Sequence, residues 1–366
     1  MLIRRAHERD IPQCEQIARQ YPHELAFVRR NSLCRAMGVG ELHVSVNEDN
    51  NTVNGFVLFH QRKDGTSTVY DIAVSKDFTR QGIGRALLYS VPCPVMLKCT
   101  VDNETANNFY RSSGMYLAST ENGRKRPLNV WKRDTLFIFC AGSNSQHPLI
   151  CCKAGIAYGC AQNDTVDDWP FMLDVEFVPE KQDWQDFLGK VYRYHPVTAV
   201  VTDYAAKEEL PRMLSQIDDL RNAGVLRIVV PVKFSGAIDD IPKDCIIGIS
   251  TPTKSKKFGG YRLPYNDMQK LVGRRVHILG GSPPKQMKIL KHVRDIGGIV
   301  ISVDGNSHQK AATFSTCFVD GRFYRQNNDA DWPFGDYNNT LLVSSKNICQ
   351  YFSKIEDVRP LQYNLF

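Results

Sequence analysis

The sequence predicts an α/β protein of two domains: an amino-terminal α+β domain over residues 1–133, then a (β/α)8-type TIM barrel over residues 134–366. Three observations predict this. A chain of 366 residues is too long for one ordinary core. From Leu136 onward, short apolar runs recur, each closed by polar or glycine residues, with amphipathic helical patterns between several of them; this is the rhythm of parallel βαβ units. No dinucleotide glycine fingerprint follows the first of these runs, which favours a closed barrel over a flat doubly wound sheet.

The most legible unit is Arg275 to Lys310. Two apolar strands, 276–279 and 299–303, flank a helix over 284–294 and end in Gly280-Gly281-Ser282 and Asp304-Gly305-Asn306. Strand interiors in parallel folds are buried, so a carboxylate first meets a ligand just beyond the last apolar residue. Asp304 stands there, either facing a ligand or closing a turn. Further strands are expected at 136–141, 171–173, 198–201, 228–232 and 246–249, making seven. Their polar ends supply Asp174, Asp203, Lys233 and Ser250, beside Gly280, Gly281 and Asp304. In a barrel these converge on one mouth. Several carboxylates at matching positions point to use rather than to capping.

The first domain reads as a strand over 2–5 and a helix with Ile11, Cys14, Ile17 and Ala18 on one face, then strands over 42–46 and 54–60. A strand over 69–74 runs through Thr79-Arg80-Gln81 into Gly82-Ile83-Gly84 and a helix, followed by a strand over 95–99, the segment Asp102 to Tyr110 with Asn103-x-x-Ala106 and Phe109-Tyr110, and Gly114-Met115. Glycines at a helix start leave backbone N–H groups uncovered for a pyrophosphate. The run resembles the GNAT N-acetyltransferase family. That resemblance implies an acetyl-CoA turn at Gly82 and Gly84 and puts Tyr110 where a common general acid stands, a core tyrosine being the other reading. Thr79 occupies the place of the family's Arg or Gln, which leaves acetyl transfer open. A basic loop over 121–127 precedes a last strand, 128–132.

In the second domain Gly280-Gly281-Ser282-Pro283, a helix, and a strand ending in Asp304 resemble the queuine and archaeosine tRNA-guanine transglycosylases. The resemblance implies Asp304 as nucleophile on the ribose C1′, Asp174 as general acid and base, and Asp203, Lys233, Gly248, Ser250, Gly280 and Gly281 around the base. Lys233 replaces the family's Gln, and the family's zinc-binding C-x-C-x-x-C is absent. The chain is most similar to short relatives that insert 7-deazaguanines (preQ0-like) into DNA in phages and bacterial modification systems. The residue types suit this chemistry: one carboxylate traps the sugar and a second handles the proton, with no metal required.

The net charge of +7 and the basic clusters suit a polyanion, although such runs also serve as solvated surface. Arg124, Lys125, Arg126, Lys254, Lys256, Lys257, Arg274, Arg275 and Lys285 are the candidate phosphate contacts. Trp169, Phe171, Phe177, Trp184 and Tyr204 are candidate base stackers or core aromatics. The eleven cysteines form no C-x-x-C or C-x-C pair, so core thiols are expected and zinc is not. No apolar run is long enough for a bilayer, and the start, MLIRRAHERD, lacks a signal-peptide core. The expected location is the cytoplasm, or the host cytoplasm for a phage-encoded enzyme, without a membrane partner. The leading expectation is a DNA-guanine transglycosylase using a free 7-deazaguanine base. Open beside it stand tRNA as substrate, a GNAT-type acetyltransferase whose barrel binds nucleic acid, and a non-catalytic nucleic-acid-binding protein.

Overall fold

A computed structural model describes residues 2–25, 28–47, 49–63, 66–140, 144–164, 170–176, 179–252, 265–325 and 334–353. The chain divides into two compact units, Met1–Arg133 and Asp134–Phe366.

The first unit contains β1 (Leu2–Arg5), α1 (Ile11–Ala18), α2 (Arg30–Gly38), β2 (Leu42–Val46), β3 (Val53–Gln61), β4 (Ser67–Val74), α3 (Ile83–Ser90), β5 (Val95–Thr100), α4 (Glu104–Ser112), β6 (Tyr116–Asn122) and β7 (Pro127–Arg133). Its strands form one sheet in the order β1-β2-β3-β4-β5-β7-β6. Of these pairs β4 and β5 are parallel, and their pairing covers only Ser67–Val69 against Val95–Leu97. Beyond Val69, β4 continues without β5, and α3 begins at its far end. Asn107 holds the α4 side together. Its amide donates to Thr100 O at 2.9 Å and accepts the Trp131 indole N–H at 2.8 Å, so this asparagine satisfies buried groups. The basic loop expected over 121–127 is shorter: β6 runs to Asn122 and β7 starts at Pro127, leaving a hairpin turn closed by Gly123 N to Arg126 O at 3.1 Å. β6 is largely exposed, so its sequence lacks the alternation that marks a half-buried strand.

The second unit opens with β8 (Leu136–Cys140), α5 (Gln146–Ala154), β9 (Ala157–Ala161), β10 (Met172–Asp174), α6 (Trp184–Tyr194), β11 (Thr198–Val200), α7 (Leu210–Asn222) and β12 (Arg227–Pro231). It continues with β13 (Ile246–Ser250), α8 (Tyr265–Gln269), β14 (Arg275–Leu279), α9 (Pro283–Asp295), β15 (Ile299–Gly305), α10 (Ser307–Ala312), β16 (Thr316–Val319), β17 (Arg322–Arg325) and α11 (Tyr337–Ser353). Strands β8 to β15 close a parallel barrel, and β16 with β17 forms a separate hairpin. The eighth strand is β9, which sequence reading missed. Its Gly159 sits in a tight place, where a Cβ would meet Ile138 Cγ2 at 3.0 Å and Met172 O at 3.2 Å, and that glycine dilutes the strand signal.

Alternate strand residues point to opposite faces. Phe137, Phe139, Leu173, Ile247, Ile249, Val276 and Ile278 pack outward in one cluster with helix residues such as Phe187, Ile217, Leu290 and Leu341. Ile138, Met172, Val229 and Leu279 crowd the Cβ positions of Gly159 and Gly248, so they point inward. In β15 the alternation slips. Val276 pairs with Val300 but His277 pairs with Ser302, so Ile301 is an extra residue, a β-bulge. The bulge turns Ser302 and Asp304 to the inside while Val300 and Val303 both stay in the outer cluster.

Candidate active site at the carboxyl end of the barrel

Parallel strands place all their carboxyl ends on one rim, and the polar groups gather there. Asp304 lies inside β15 rather than in the turn beyond it, because Asp304 and Gly305 still pair with Ile138 and Phe139 of β8. Its carboxylate is held at one oxygen. Gly280 N donates to Oδ1 at 2.9 Å, and His277 Nε2 lies 3.0 Å from the same atom. The other ring nitrogen, Nδ1, lies 2.7 Å from Ser302 Oγ. His277 is fully buried and Asp304 is 6% exposed.

The Gly280-Gly281 turn is built around this contact. Both glycines have positive φ, +61° and +95°, and a Cβ on Gly281 would lie 2.6 Å from Thr251 Cγ2, so no other residue fits. Gly280 O accepts from Thr251 Oγ1 at 2.7 Å and from the buried Gln286 amide at 2.8 Å. The same Gln286 amide reaches Asp304 O, clamping the turn of β14 to the end of β15. Neither His277 nor Gln286 is legible as a site residue in the sequence; each sits in an apolar strand or helix pattern and acts only through the fold.

Asp174 closes β10 on the same rim. It keeps some contact with solvent at the mouth but is otherwise enclosed. Burial first, then the charges of Asp304 and Asp203, push its carboxyl well above the usual carboxylate range. Cys140, at the end of β8, shares the inward face with Ile138, and its thiol is raised by burial and by Asp304 and Asp174. Beside these, Lys233 Nζ donates to Ser250 Oγ at 2.6 Å and lies 3.4 Å from Asp203 Oδ2. Three residues singled out separately in the sequence thus form one polar group, with a donor cation between a hydroxyl and an exposed carboxylate.

Other candidates stand elsewhere. Gly248 lies inside β13, where Leu279, Val229 and Pro231 fill the space at its Cβ; it makes room in the barrel interior beneath Ser250. Arg274 and Arg275 lie at the opposite rim, because they precede or begin a parallel strand whose other end carries the site. There Arg274 donates to the Ile241 and Pro242 carbonyls at 3.1 and 3.0 Å, a structural role. Lys285 is exposed in the first turn of α9, on the site's rim. Of the aromatic candidates, Tyr204 is fully buried and donates to Asp240 at 2.7 Å, Trp184 donates to Asp219 at 2.8 Å, and Phe171 is buried just before β10 begins. Tyr204 and Phe171 are core residues, and Trp184 is half-buried against the core. Lys254, Lys256, Lys257, Trp169 and Phe177 lie outside the described residues. Among the described residues no group of three or more His, Cys, Asp or Glu side chains could hold a metal ion, and no helix is long and apolar enough to cross a membrane.

The first unit has its own candidate site at the start of α3. Gly82 caps this helix with φ +81° and open space at its Cβ, with no side chain capping the helix N-terminus. Gly84 serves packing, since a Cβ there would touch the Phe109 ring at 3.3 Å. Sequence reading missed Asp71 in β4, which is buried and whose carboxyl burial raises to about 6. Tyr110 is buried against Phe109 and Trp131, and its hydroxyl is raised by burial and, less, by Cys99 and Asp71. Arg124, Lys125 and Arg126 are exposed in the β6–β7 turn, Arg126 pairing with Asp102 at 3.2 Å.

Fold and sites define a protein of two parts: a GNAT-like α/β domain, and a closed parallel α/β barrel with carboxylates gathered on one rim. The GNAT acetyltransferase family matches residues 7–115. The chain belongs to a family of unknown function (DUF6610), which matches residues 151–353, more than half of its length. No curated protein matches it. Among solved structures it is similar to Ard1 from Thermoplasma volcanium, at 19% identity over 36% of this chain and 95% of that one, with a TM-score of 0.32. The ribosomal-protein-S18-alanine N-acetyltransferase from Escherichia coli gives 21% identity over 36% and 90%, at 0.30. Rv2747 from Mycobacterium tuberculosis, solved in complex with CoA and NLQ, gives 20% over 34% and 77%, at 0.29.

Proposed function

We propose that the barrel is a pentosyltransferase of the guanine transglycosylase kind, exchanging a guanine in DNA for a 7-deazaguanine base through a covalent aspartyl-sugar intermediate. The observation that carries the reading is the pair of unlike carboxylates on one rim: Asp304, pinned by two donors, and Asp174, whose raised carboxyl keeps its proton. Such a divergence of two carboxyls is how nucleophile and acid are assigned in glycosyl transfer. An Asp304 oxygen lone pair forms a bond to C1′ as the bond from C1′ to the base nitrogen breaks. The departing base takes the bond electrons and a proton from Asp174. The incoming base then gives its ring N–H proton to Asp174 and attacks C1′, releasing Asp304.

Base recognition suits the third group. A guanine-like edge offers N–H donors, which Asp203 accepts, and a carbonyl oxygen, which Lys233 and Ser250 satisfy. Lys285 and the Arg124-Lys125-Arg126 turn supply phosphate contacts, the turn making the first unit a docking module. The test is mass spectrometry of nucleosides from DNA and tRNA of cells expressing the protein with a 7-deazaguanine supply. Deazaguanine in DNA supports the reading, its appearance in tRNA alone moves the substrate to RNA, and its absence from both overturns base exchange.

A second reading, acetyl transfer by the first unit, is favoured by Asp71. A carboxyl raised to about 6 suits a general base near neutral pH, with Tyr110 as acid. Gly82 and the uncovered N–H groups after it would hold the acetyl-CoA pyrophosphate, and bound acetyl-CoA would supply the acyl group. Calorimetry with acetyl-CoA decides this reading independently of base exchange.

A further inference from the structure

The contacts of Asp304 are one-sided. Gly280 N–H and His277 Nε2 both meet Oδ1, and among the described residues no donor meets Oδ2. Next to a carboxylate the Nε2 position carries the proton, because two acceptors cannot share a hydrogen bond. In the neutral ring Nδ1 is then an acceptor, and the Ser302 hydroxyl at 2.7 Å donates to it. The β15 bulge at Ile301 is what sets Ser302 opposite His277. Ser302, His277 and Asp304 therefore form a directed chain in which each group fixes the orientation of the next, all of it buried.

We infer that His277 is the positioning residue of the nucleophile: by holding Oδ1 together with the Gly280 amide, it presents Oδ2 as the oxygen that attacks C1′, and Ser302 sets the ring for that task. The inference rests on the reading of Asp304 as nucleophile. Holding a reactive atom in attack geometry without touching the substrate changes the rate of bond formation and leaves ground-state affinity alone. The Gly280 N–H is a backbone donor and persists in every side-chain variant, so losing His277 loosens the carboxylate rather than freeing it.

The experiment is single-turnover formation of a denaturant-stable adduct between the full-length protein and a guanine-containing oligonucleotide, DNA and RNA in parallel, at saturating concentration, alongside equilibrium affinity for the same oligonucleotide. Wild type is compared with His277→Leu, His277→Gln, His277→Asn and Ser302→Ala. Leu should slow adduct formation at least tenfold with affinity within twofold. Gln, whose terminal amide reaches the place of Nε2, should recover most of the rate. Asn, one methylene shorter, should not. Ser302→Ala should give a smaller loss in the direction of Leu. If Leu does not fold, Gln against Asn makes the same comparison with a polar side chain in both. Nitrogen NMR of the neutral His277 ring should show Nε2 protonated and Nδ1 as acceptor. A wild-type rate in Leu or Asn, or a neutral ring protonated at Nδ1, overturns the role of His277 while base exchange stands. No adduct from wild type on either nucleic acid overturns base exchange and this inference together.

Discussion

Each unit buries a carboxylate in a strand of its sheet, and the two are treated oppositely. Asp71 in β4 has burial alone acting on it, and its carboxyl rises to about 6. Asp304 in β15 is equally secluded but receives a backbone N–H and an imidazole at 2.9 and 3.0 Å. A buried carboxyl without donors is a proton carrier that costs stability when ionised. One supplied with donors is held in a fixed direction by them. Asp174 shares a rim with Asp304 but follows Asp71 in direction: burial and the charges of Asp304 and Asp203 outweigh its backbone hydrogen bond at Val175 and the charge of Lys233, and its carboxyl rises. Partners, rather than depth, separate the roles.

The contrast is broken most directly at Asp304. Asp304→Asn should abolish the covalent adduct, a loss of about a thousandfold or more in exchange, since the amide cannot attack C1′. A variant that still forms adduct in wild-type yield would take the nucleophile's role from this residue. Asp174→Asn should cost roughly a hundredfold, the usual scale of a general acid-base group. Because the Asp174 carboxyl is raised, its proton is present below its own pKa and lost above it. The first half-reaction should therefore be level at lower pH and fall as pH rises through that pKa, and the Asn variant should lose this alkaline limb in a pH series of single-turnover rates.

Asp71 sharpens the same contrast through stability. Its folded pKa of about 6 lies above the ordinary aspartate value of 3.8, so the folded unit binds this proton more tightly than the unfolded chain does. The associated stability is complete below the unfolded value and is lost as pH rises through about 6. Asp71→Asn should thus protect β3 and β4 amides from hydrogen exchange at pH 7.5 by up to about 3 kcal/mol, with little gain near pH 4. Equal protection at both pH values would mean that burial does not govern this carboxyl. The smallest effect is expected at the surface. Neutralising Arg124, Lys125 and Arg126 should weaken oligonucleotide binding similarly across sequences and flatten its salt dependence, as removal of phosphate contacts does. An unchanged slope in a salt titration would remove the docking role from the first unit.

The sequence announces the barrel strands that alternate or run apolar, such as 276–279, because burial of one or both faces demands it. It conceals β9, where Gly159 leaves room for Ile138 and Met172, and α2, which buries only Leu33 and Ala36. Strand-end carboxylates are conspicuous because a polar residue after an apolar run needs a reason. His277 is not, since a lone histidine between Val276 and Ile278 reads as core until the strand beside it is in register. The one overlooked signal lies in Val69 to Val74, where Asp71 interrupts an otherwise apolar strand; a carboxylate there is a local inconsistency of the kind that marks function. The basic residues were the least informative, because charge in a sequence does not say at which rim a strand begins.

The extra residue Ile301 has a consequence for folding as well as for geometry. If β15 zipped onto β14 as a regular ladder, Ser302 would fall opposite Ile278, and both Ser302 and Asp304 would turn into the apolar layer that holds Val276, Ile278, Leu290 and Val293. An unpartnered carboxylate there costs several kcal/mol. The misregistered chain would therefore lose the carboxylate of the barrel rim and its stability in the same step, so a barrel that has managed to close is already one in which Asp304 faces inward.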